Sequence, residues 1–225
     1  MMVDPYAAIR LSLWVGTLST LAGLLPAIAC AYALARWQFP GKFLLSALIM
    51  MPLVLPPVVT GLLLLRVFGR SSVLGQTLEA IGWPVPFSLT GACLAAGVVG
   101  FPLYVSAIRG AFEAVDPQLE ALSQSLGVPP WQTFLRVSLP LAAPGIAAGA
   151  VLAFARGLGE FGATAILAGN MEGRTRTISL AVYSLMEGTE GDGPMQVLIL
   201  ASLGLSGLAL SGYEALNRYQ RQRLY

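Results

Sequence analysis

Long apolar runs alternate with short polar intervals along this chain. A helix needs about 20 apolar residues to cross the hydrocarbon core of a bilayer. Five runs approach or exceed that length, and they cover residues 9–35, 43–65, 88–108, 139–168 and 194–213. Charged residues and prolines collect in the intervals 66–87, 109–138 and 169–193. The pattern predicts five membrane-spanning helices in one transmembrane domain, residues 1–225, joined by loops, the first of which has room for one short helix.

The second run carries three prolines within six residues, Pro52, Pro56 and Pro57. Proline lacks the backbone N–H that a helix uses, and its ring clashes with the preceding turn, so we expect this span to be kinked or unwound. One interpretation is a bend with no further role. The other, which the clustering close to Gly61 favours, is a broken segment that lines a cavity on a transport pathway.

The interval 109–138 resembles a small water-exposed helical unit between two spans. Asp116 and Pro117 form a helix start, with an oxygen cap and a proline at the first helical position. Gly127 supplies a left-handed stop. Apolar residues follow helical spacing in the first segment and recur on one side of a second one: Leu119, Leu122, Leu126, Trp131, Phe134 and Leu135. We predict a pair of short helices that docks to a partner in water.

Composition restricts the class of protein. Hydrophobic residues make up 56% of the 225 residues and charged residues 11%, with a mean hydropathy of +0.74. Soluble domains carry about 25% charged residues, so an all-α polytopic membrane protein embedded in a lipid bilayer is predicted. The chain has no histidine, which excludes His-based catalysis and His metal ligands, and its net charge of +2 gives no argument for a nucleic-acid partner. We predict neither a catalytic nor a metal site.

Basic residues predict the orientation. Five spans place the two ends of the chain on opposite sides. One side would hold seven basic residues, namely Arg36, Lys42, Arg109, Arg136, Arg218, Arg221 and Arg223; the other would hold five, namely Arg10, Arg66, Arg70, Arg174 and Arg176. The positive-inside rule therefore favours a cytoplasmic 109–138 interval and C-terminus, with the N-terminus outside.

Arg156 and Glu160 are charged residues inside the fourth predicted span. They are four residues apart, so they would lie on one helix face and pair. Ionisable groups at membrane depth are costly unless they are paired or face water, and they mark either a transport path or a buried bond. Two interpretations stay open, a salt bridge that ties the fourth helix to a neighbour and a role in gating or lining an anion path.

The chain contains no G-x-x-x-x-G-K-[ST] phosphate-binding loop and no domain-sized polar segment. If transport is driven by ATP, the nucleotide site therefore belongs to another chain.

The interval 109–138 resembles the cytoplasmic signature of ABC importer permeases, which runs Glu-Ala-Ala, three residues, glycine, nine residues, then Ile-x-Leu-Pro. Gly127, Val137, Leu139 and Pro140 match this spacing, with valine in place of isoleucine. The Glu-Ala-Ala positions fall on Ala121, Leu122 and Ser123, and Glu120 stands one residue early. The resemblance implies that Glu120, Ala121, Leu122, Gly127, Val137, Leu139 and Pro140 couple this chain to an ATPase. A plain amphipathic connector is the alternative.

Further blocks are similar to permeases of molybdate-type importers, namely F-P-G-K at 39–42, M-P-L-V-L-P-P-V-V-T-G at 51–61, F-A-R-G-L-G-E-F-G-A-T at 154–164 and R-T-R-T-I at 174–178. The resemblance implies a type I permease fold in the cell inner membrane. It also implies a second copy of this chain, two cytoplasmic ATPase subunits that use ATP and Mg²⁺, and an extracytoplasmic oxyanion-binding protein. No cofactor is expected on this chain.

The resemblance implies molybdate import by alternating access, without enzyme activity in this chain. A tungstate or a sulfate/thiosulfate permease of the same build is the first alternative. A secondary transporter or channel without ATPase subunits is the remote one. That class would favour several membrane carboxylates or an inverted repeat, whereas Glu160 is the one mid-span carboxylate and no repeat is visible.

Overall fold

The computed structural model describes residues 4–188 and 192–224, and in that part of the chain its regular structure consists of helices without strands. The helices are α1 (Pro5–Arg36), α2 (Lys42–Val54), α3 (Pro57–Phe68), α4 (Val73–Ala80), α5 (Leu89–Glu113), α6 (Pro117–Ser125), α7 (Pro130–Thr133), α8 (Leu139–Leu158), α9 (Gly162–Leu167), α10 (Ile178–Glu187) and α11 (Asp192–Leu224). A π-helical turn, Phe134–Ser138, joins α7 to α8. This all-α architecture confirms the predicted fold class.

The spans follow the hydropathy pattern. Among the described residues, four helical stretches are long and apolar enough to cross a membrane: Pro5–Arg36, Leu89–Glu113, Pro130–Leu158 and Gly193–Tyr219. A fifth span is counted if α2 and α3 are taken together, although their axes differ by 117°. The break lies at Leu55 and Pro56, where the Pro56-Pro57 pair cannot supply the N–H groups that a continuous helix needs. The kink expected in the second span is therefore present.

Three long helices, α1, α5 and α8, form the core. Its largest cluster combines small residues of α1, such as Ala27 and Ala31, with large ones of α5, such as Tyr104, Ile108 and Phe112. Small residues let helix backbones approach closely where lipid replaces water as the solvent. Gly149 of α8 belongs to this set, because a Cβ at this position would lie 3.2 Å from side-chain atoms of Ala107 and Ile108.

The fourth predicted span, 139–168, is wrong at both ends. The helix starts at Pro130, nine residues early, and passes through the π-helical turn without interruption into α8. It stops at Leu158, where Gly157 and Gly159 favour a helix end. The N–H of Glu160 turns back to the carbonyl of Gly157, 3.2 Å away. The short helix α9 follows after the break.

Other predicted bounds are corrected as well. The third span, predicted as 88–108, continues to Glu113, so the interval between the spans begins at residue 114. The fifth, predicted as 194–213, continues through the basic tail to Leu224. The interval 169–193, predicted as a loop, contains α10. The 66–87 loop does contain one short helix, α4, capped by Ser72, whose hydroxyl oxygen accepts from Gly75 N–H at 2.9 Å.

The two ends of the bundle carry different features. At one end, Arg36 closes α1 beside the segment 114–133 that follows α5. At the other, Ala8 near the start of α1 packs against Leu198 near the start of α11. The helices α1 and α11 therefore start at the same end of the bundle.

Candidate functional site

The segment 114–135 forms the candidate docking element, which we name the coupling loop, and residues 136–140, which lead into the next span, form the root of α8. Its first helix, α6, begins at the predicted position, where the Asp116 carboxylate accepts a hydrogen bond of 2.9 Å from the Gln118 N–H. Gly127 ends it with a φ of 84°, in the left-handed region that glycine favours. The N–H groups of Gly127 and Val128 then close onto the carbonyls of Gln124 and Ser123 at 3.0 and 3.3 Å.

The coupling loop presents an apolar surface to the outside. Its members are large side chains that are each at least two-fifths exposed: Leu119, Leu122, Leu126, Trp131 and Leu135. Leu126 is the most exposed of the five, at 76%. Ala121 and Gly127 are exposed beside them. Leu122 and Leu126 are mostly free of the rest of the chain, and a group of exposed large apolar side chains of this kind is typical of a protein interface.

Glu120 faces the opposite way. Its carboxylate accepts a hydrogen bond of 3.0 Å from Arg36 Nε and one of 2.7 Å from Ser138 Oγ, while Arg36 Nη2 donates to the carbonyl of Val115 at 2.8 Å. The Arg36 and Glu120 side chains are 13% and 12% exposed. Glu120 thus joins the end of α1, the coupling loop and the root of α8 from inside, away from the exposed apolar surface.

Val137, Leu139 and Pro140 lie in the continuous helix that leads into α8. Leu139 packs against the main core cluster, and its N–H bonds to the carbonyl of Phe134 five residues back. Pro140 has no N–H and would clash in a regular α-turn, so the wider π-helical turn just before it relieves the conflict. The matched Leu-Pro positions therefore begin a span, where Leu139 is half-buried and Pro140 is exposed.

The predicted pathway residues lie near two helix breaks, one between α2 and α3 and one between α8 and α9, and these two breaks are in contact. Pro57 at the start of α3 lies against Gly162 at the start of α9, where an added Cβ would be 3.0 Å from the proline Cβ. One turn further along, a Cβ on Gly61 would be 2.8 Å from the backbone of Ala163. Only glycine allows this approach. Pro52 lies elsewhere, on a groove that α2 forms with α1 and α5.

Arg156 and Glu160 are paired, as predicted, with 2.9 Å between Arg156 Nη1 and Glu160 Oε2. Glu160 is not on a helix face, however, since α8 has already ended. Its second oxygen accepts from the Ala163 N–H at 2.9 Å, so the carboxylate caps α9. Glu160 is 2% exposed and Arg156 29%. Both carboxylate oxygens are occupied by protein groups, which favours the interpretation of this pair as a structural tie across the break.

A cavity of about 420 Å³ opens beside this break, between α8, α10 and α11. Hydroxyl groups on its wall come from Ser179, Ser202, Ser206 and Tyr183. Tyr183 donates a 2.6 Å hydrogen bond to the Glu187 carboxylate, and this bond raises the pKa of the phenol above its ordinary value.

The sequence pattern does not indicate this cavity, because it predicts a loop over the residues that form α10. Ile178, Ala181 and Leu185 are buried together and recur at helical spacing, which could have revealed α10.

Comparison with known proteins places the chain in a family. The model for the binding-protein-dependent transport system inner membrane component matches residues 19–222. The chain belongs to this family. It is 45% identical over 224 residues to the molybdenum transport system permease protein ModB of Escherichia coli K12, covering 99% of this chain and 98% of that one. The ModB protein of Haemophilus influenzae is 44% identical over 219 residues, covering 97% and 96%.

A solved structure supports the fold. The inward-facing MetNI methionine ABC transporter contains a chain that superposes with a TM-score of 0.67 at 18% identity, covering 96% of this chain and 94% of that one. The family match and the ModB relatives confirm the resemblance to ABC importer permeases, and the superposition shows the type I permease fold. It is a multi-pass protein of the inner membrane, and its relatives are transport permease subunits.

Proposed function

We propose that this chain is the membrane-spanning subunit of an ATP-driven importer that moves molybdate across the cytoplasmic membrane. The similarity to ModB proteins along nearly the whole chain carries this proposal. Tungstate and sulfate are tetrahedral dianions like molybdate, so importers of these anions with the same build are the alternatives that the test must separate.

Two copies of the chain would form the pathway, with two ATPase subunits below them and an oxyanion-binding protein on the other side. ATP and Mg²⁺ would be used by the ATPase subunits, since this sequence has no phosphate-binding loop of its own. The coupling loop and the C-terminus would lie in the cytoplasm, as the basic residues favour. The exposed leucines and Trp131 of the coupling loop supply the surface for the ATPase.

The proposed mechanism is mechanical coupling. Closure of the ATPase pair on ATP would move the coupling loop, and the Arg36–Glu120–Ser138 contacts would pass that displacement to α1 and α8. The α3–α9 contact at the two breaks would then shift and switch the side on which the anion has access. The ATPase must bind the two permease states with different affinity, because equal affinity would shift no equilibrium.

We expect the chain to co-purify from membranes in mild detergent as a complex of two copies with two ATPase subunits, resolved by native mass spectrometry. Leu122→Asp with Leu126→Asp should remove the ATPase subunits from the complex, because the two carboxylates place charge in the exposed apolar surface. The matched control places the same charges on polar positions of α6, Gln118→Asp with Gln124→Asp, and should keep the ATPase subunits. A wild-type chain without a nucleotide-binding partner would overturn the coupling proposal.

Uptake competition identifies the anion. In vesicles with ATP on the side of the ATPase subunits and the binding protein on the other, we expect labelled molybdate to be transported and unlabelled molybdate to compete with it. If sulfate is taken up as well as molybdate or better, the chain belongs to a sulfate importer. The same comparison between molybdate and tungstate decides which of these two anions is the substrate. Uptake that persists without ATP and follows an ion gradient would favour the secondary-transporter class.

A further inference from the structure

A cavity with a mixed lining lies at the end of the bundle opposite the coupling loop. It measures about 730 Å³ and lies between the end of α3, α4 and the start of α5. Leu65, Phe68 and Phe87 contribute apolar walls, and Arg70 and Arg174 contribute cations. The coupling loop follows the other end of α5, which is 25 residues long. A helix of that length spans roughly 37 Å, so the cavity is at the far membrane surface.

The charge of this cavity is positive. Arg70 forms an exposed ion pair of 2.8 Å with Glu79, which also lines the cavity. The exposed Arg174 side chain makes no hydrogen bond or ion pair with the residues that the structure describes. Two guanidinium groups against one carboxylate leave a net positive charge, and a guanidinium is the side chain best suited to a phosphate group.

An apolar groove adjoins the cavity. It measures about 740 Å³, runs between α1, α2 and α5, and is lined by residues such as Leu18, Ala22, Leu48, Val98 and Phe101. Leu89 lines both the cavity and the groove. Trp83 lines the groove, and the next residue, Pro84, lines the cavity. The groove thus extends the cationic cavity along spanning helices, at the depth of the hydrocarbon core.

The residues around the cavity indicate where the membrane surface lies. The connection from α3 to α5 exposes large apolar side chains that would be unfavourable in water: Val73, Leu74, Ile81, Trp83 and Phe87. Apolar side chains with a tryptophan among them are typical of a segment immersed at the level of the lipid headgroups. Arg70 and Arg174 therefore lie at headgroup level, above the apolar groove.

We propose that this cavity and groove bind a phospholipid of the leaflet opposite the coupling loop. The phosphate lies against Arg70 and Arg174, and one acyl chain lies in the groove over Leu89. The positive charge of the two arginines favours the phosphate of the headgroup. The apolar groove, which lies at the depth of the hydrocarbon core, favours an acyl chain. A free phosphate or oxyanion would use the arginines and leave the groove empty, whereas a second copy of the protein would cover the groove without needing the arginines.

The test is native mass spectrometry of the full chain, purified in mild detergent with the subunits it retains and supplied with phosphatidylglycerol. Wild-type protein should retain one phospholipid per copy. Arg70→Gln with Arg174→Gln should weaken retention roughly thirtyfold, which corresponds to about 1 kcal/mol for each arginine near a membrane surface. Ala22→Trp, which fills the groove from an exposed position on α1, should remove the lipid while leaving both arginines intact.

Matched controls separate the occupants. Arg218→Gln breaks an exposed arginine–glutamate pair on α11, and Leu208→Trp enlarges an exposed side chain outside the groove, so both should retain the lipid. Unchanged retention in the double-arginine variant or in Ala22→Trp would overturn the proposal. If inorganic phosphate alone displaces the lipid, the cavity is a free-anion site and the proposal is overturned. If the groove holds no lipid and is covered in the dimer, the groove is an interface with the second copy and the proposal is likewise overturned.

Discussion

Glu160→Ala is expected to lower the free energy of unfolding by about 3 kcal/mol, or roughly 10 °C in Tm for a chain of this size. The substitution leaves the Arg156 guanidinium without its 2.9 Å partner and the Ala163 N–H without its acceptor. The expected loss is at the lower end for a buried pair because Arg156 is 29% exposed and regains some contact with polar surroundings. Thermal unfolding of the purified protein in mild detergent measures it.

Two readouts distinguish a structural tie from a residue of the anion path. A structural tie predicts a lower Tm, with the KM for uptake unchanged in the protein that stays folded. Glu160→Gln should be less damaging than alanine, because its amide oxygen still accepts from Ala163. Glu214→Ala breaks an exposed pair with the same spacing on α11. That control should change stability by no more than about 0.5 kcal/mol. An unchanged Tm with an altered KM or anion preference would contradict the tie.

Much of the fold could be predicted from local patterns. Bilayer thickness fixes the length of an apolar run, so five spans could be counted without tertiary information. The kink at Pro56 and Pro57 follows from missing N–H groups alone. The start of α6 at Asp116 and its end at Gly127 follow from cap chemistry, which acts within a few residues. These features depend on neighbours in the sequence. The described part of the chain contains the kink and both ends of α6, and it contains five spans if α2 and α3 are counted as one.

Features that depend on contacts between distant residues were not predictable in this way. Arg36 and Glu120 are 84 residues apart, and nothing in the sequence around Arg36 indicates its partner. The break after Leu158 was hidden because the apolar composition continues through it, although Gly157 and Gly159 were a local signal. The spacing of Arg156 and Glu160 predicted their contact correctly but assigned it to a helix face, whereas the carboxylate caps the next helix.

The coupling loop has two sides with different determinants. Its outer side is a set of exposed leucines whose spacing is visible in the sequence. Its inner side is the Glu120 carboxylate, which the signature spacing had grouped with the outer residues. If the loop transmits force, the outer side sets the affinity for a partner, and the inner side sets how rigidly the partner's movement reaches α1 and α8. Substitutions on the two sides should therefore separate binding from coupling.

Glu120→Ala is accordingly expected to reduce anion uptake at least tenfold while ATP hydrolysis by the complex continues, a loss of coupling of about 1.4 kcal/mol or more. The alanine removes the acceptor of both Arg36 Nε and Ser138 Oγ, so the loop loses its attachment to α1 and to the root of α8. The exposed apolar surface of the coupling loop stays intact, so the ATPase subunits should remain bound. Uptake and ATP hydrolysis measured in the same vesicles give the ratio directly.

The chain offers graded and matched controls for this prediction. Arg36→Lys keeps the charge but loses the fork that reaches Glu120 and the Val115 carbonyl together, so an intermediate loss is expected. Glu113→Ala breaks a 2.7 Å pair with Arg109 at the same end of the bundle. That pair is exposed and should contribute little, so uptake should be unchanged. Equal behaviour of Glu113→Ala and Glu120→Ala would show that the buried contact does not transmit the movement of the loop, and dissociation of the ATPase in Glu120→Ala would assign Glu120 to binding instead.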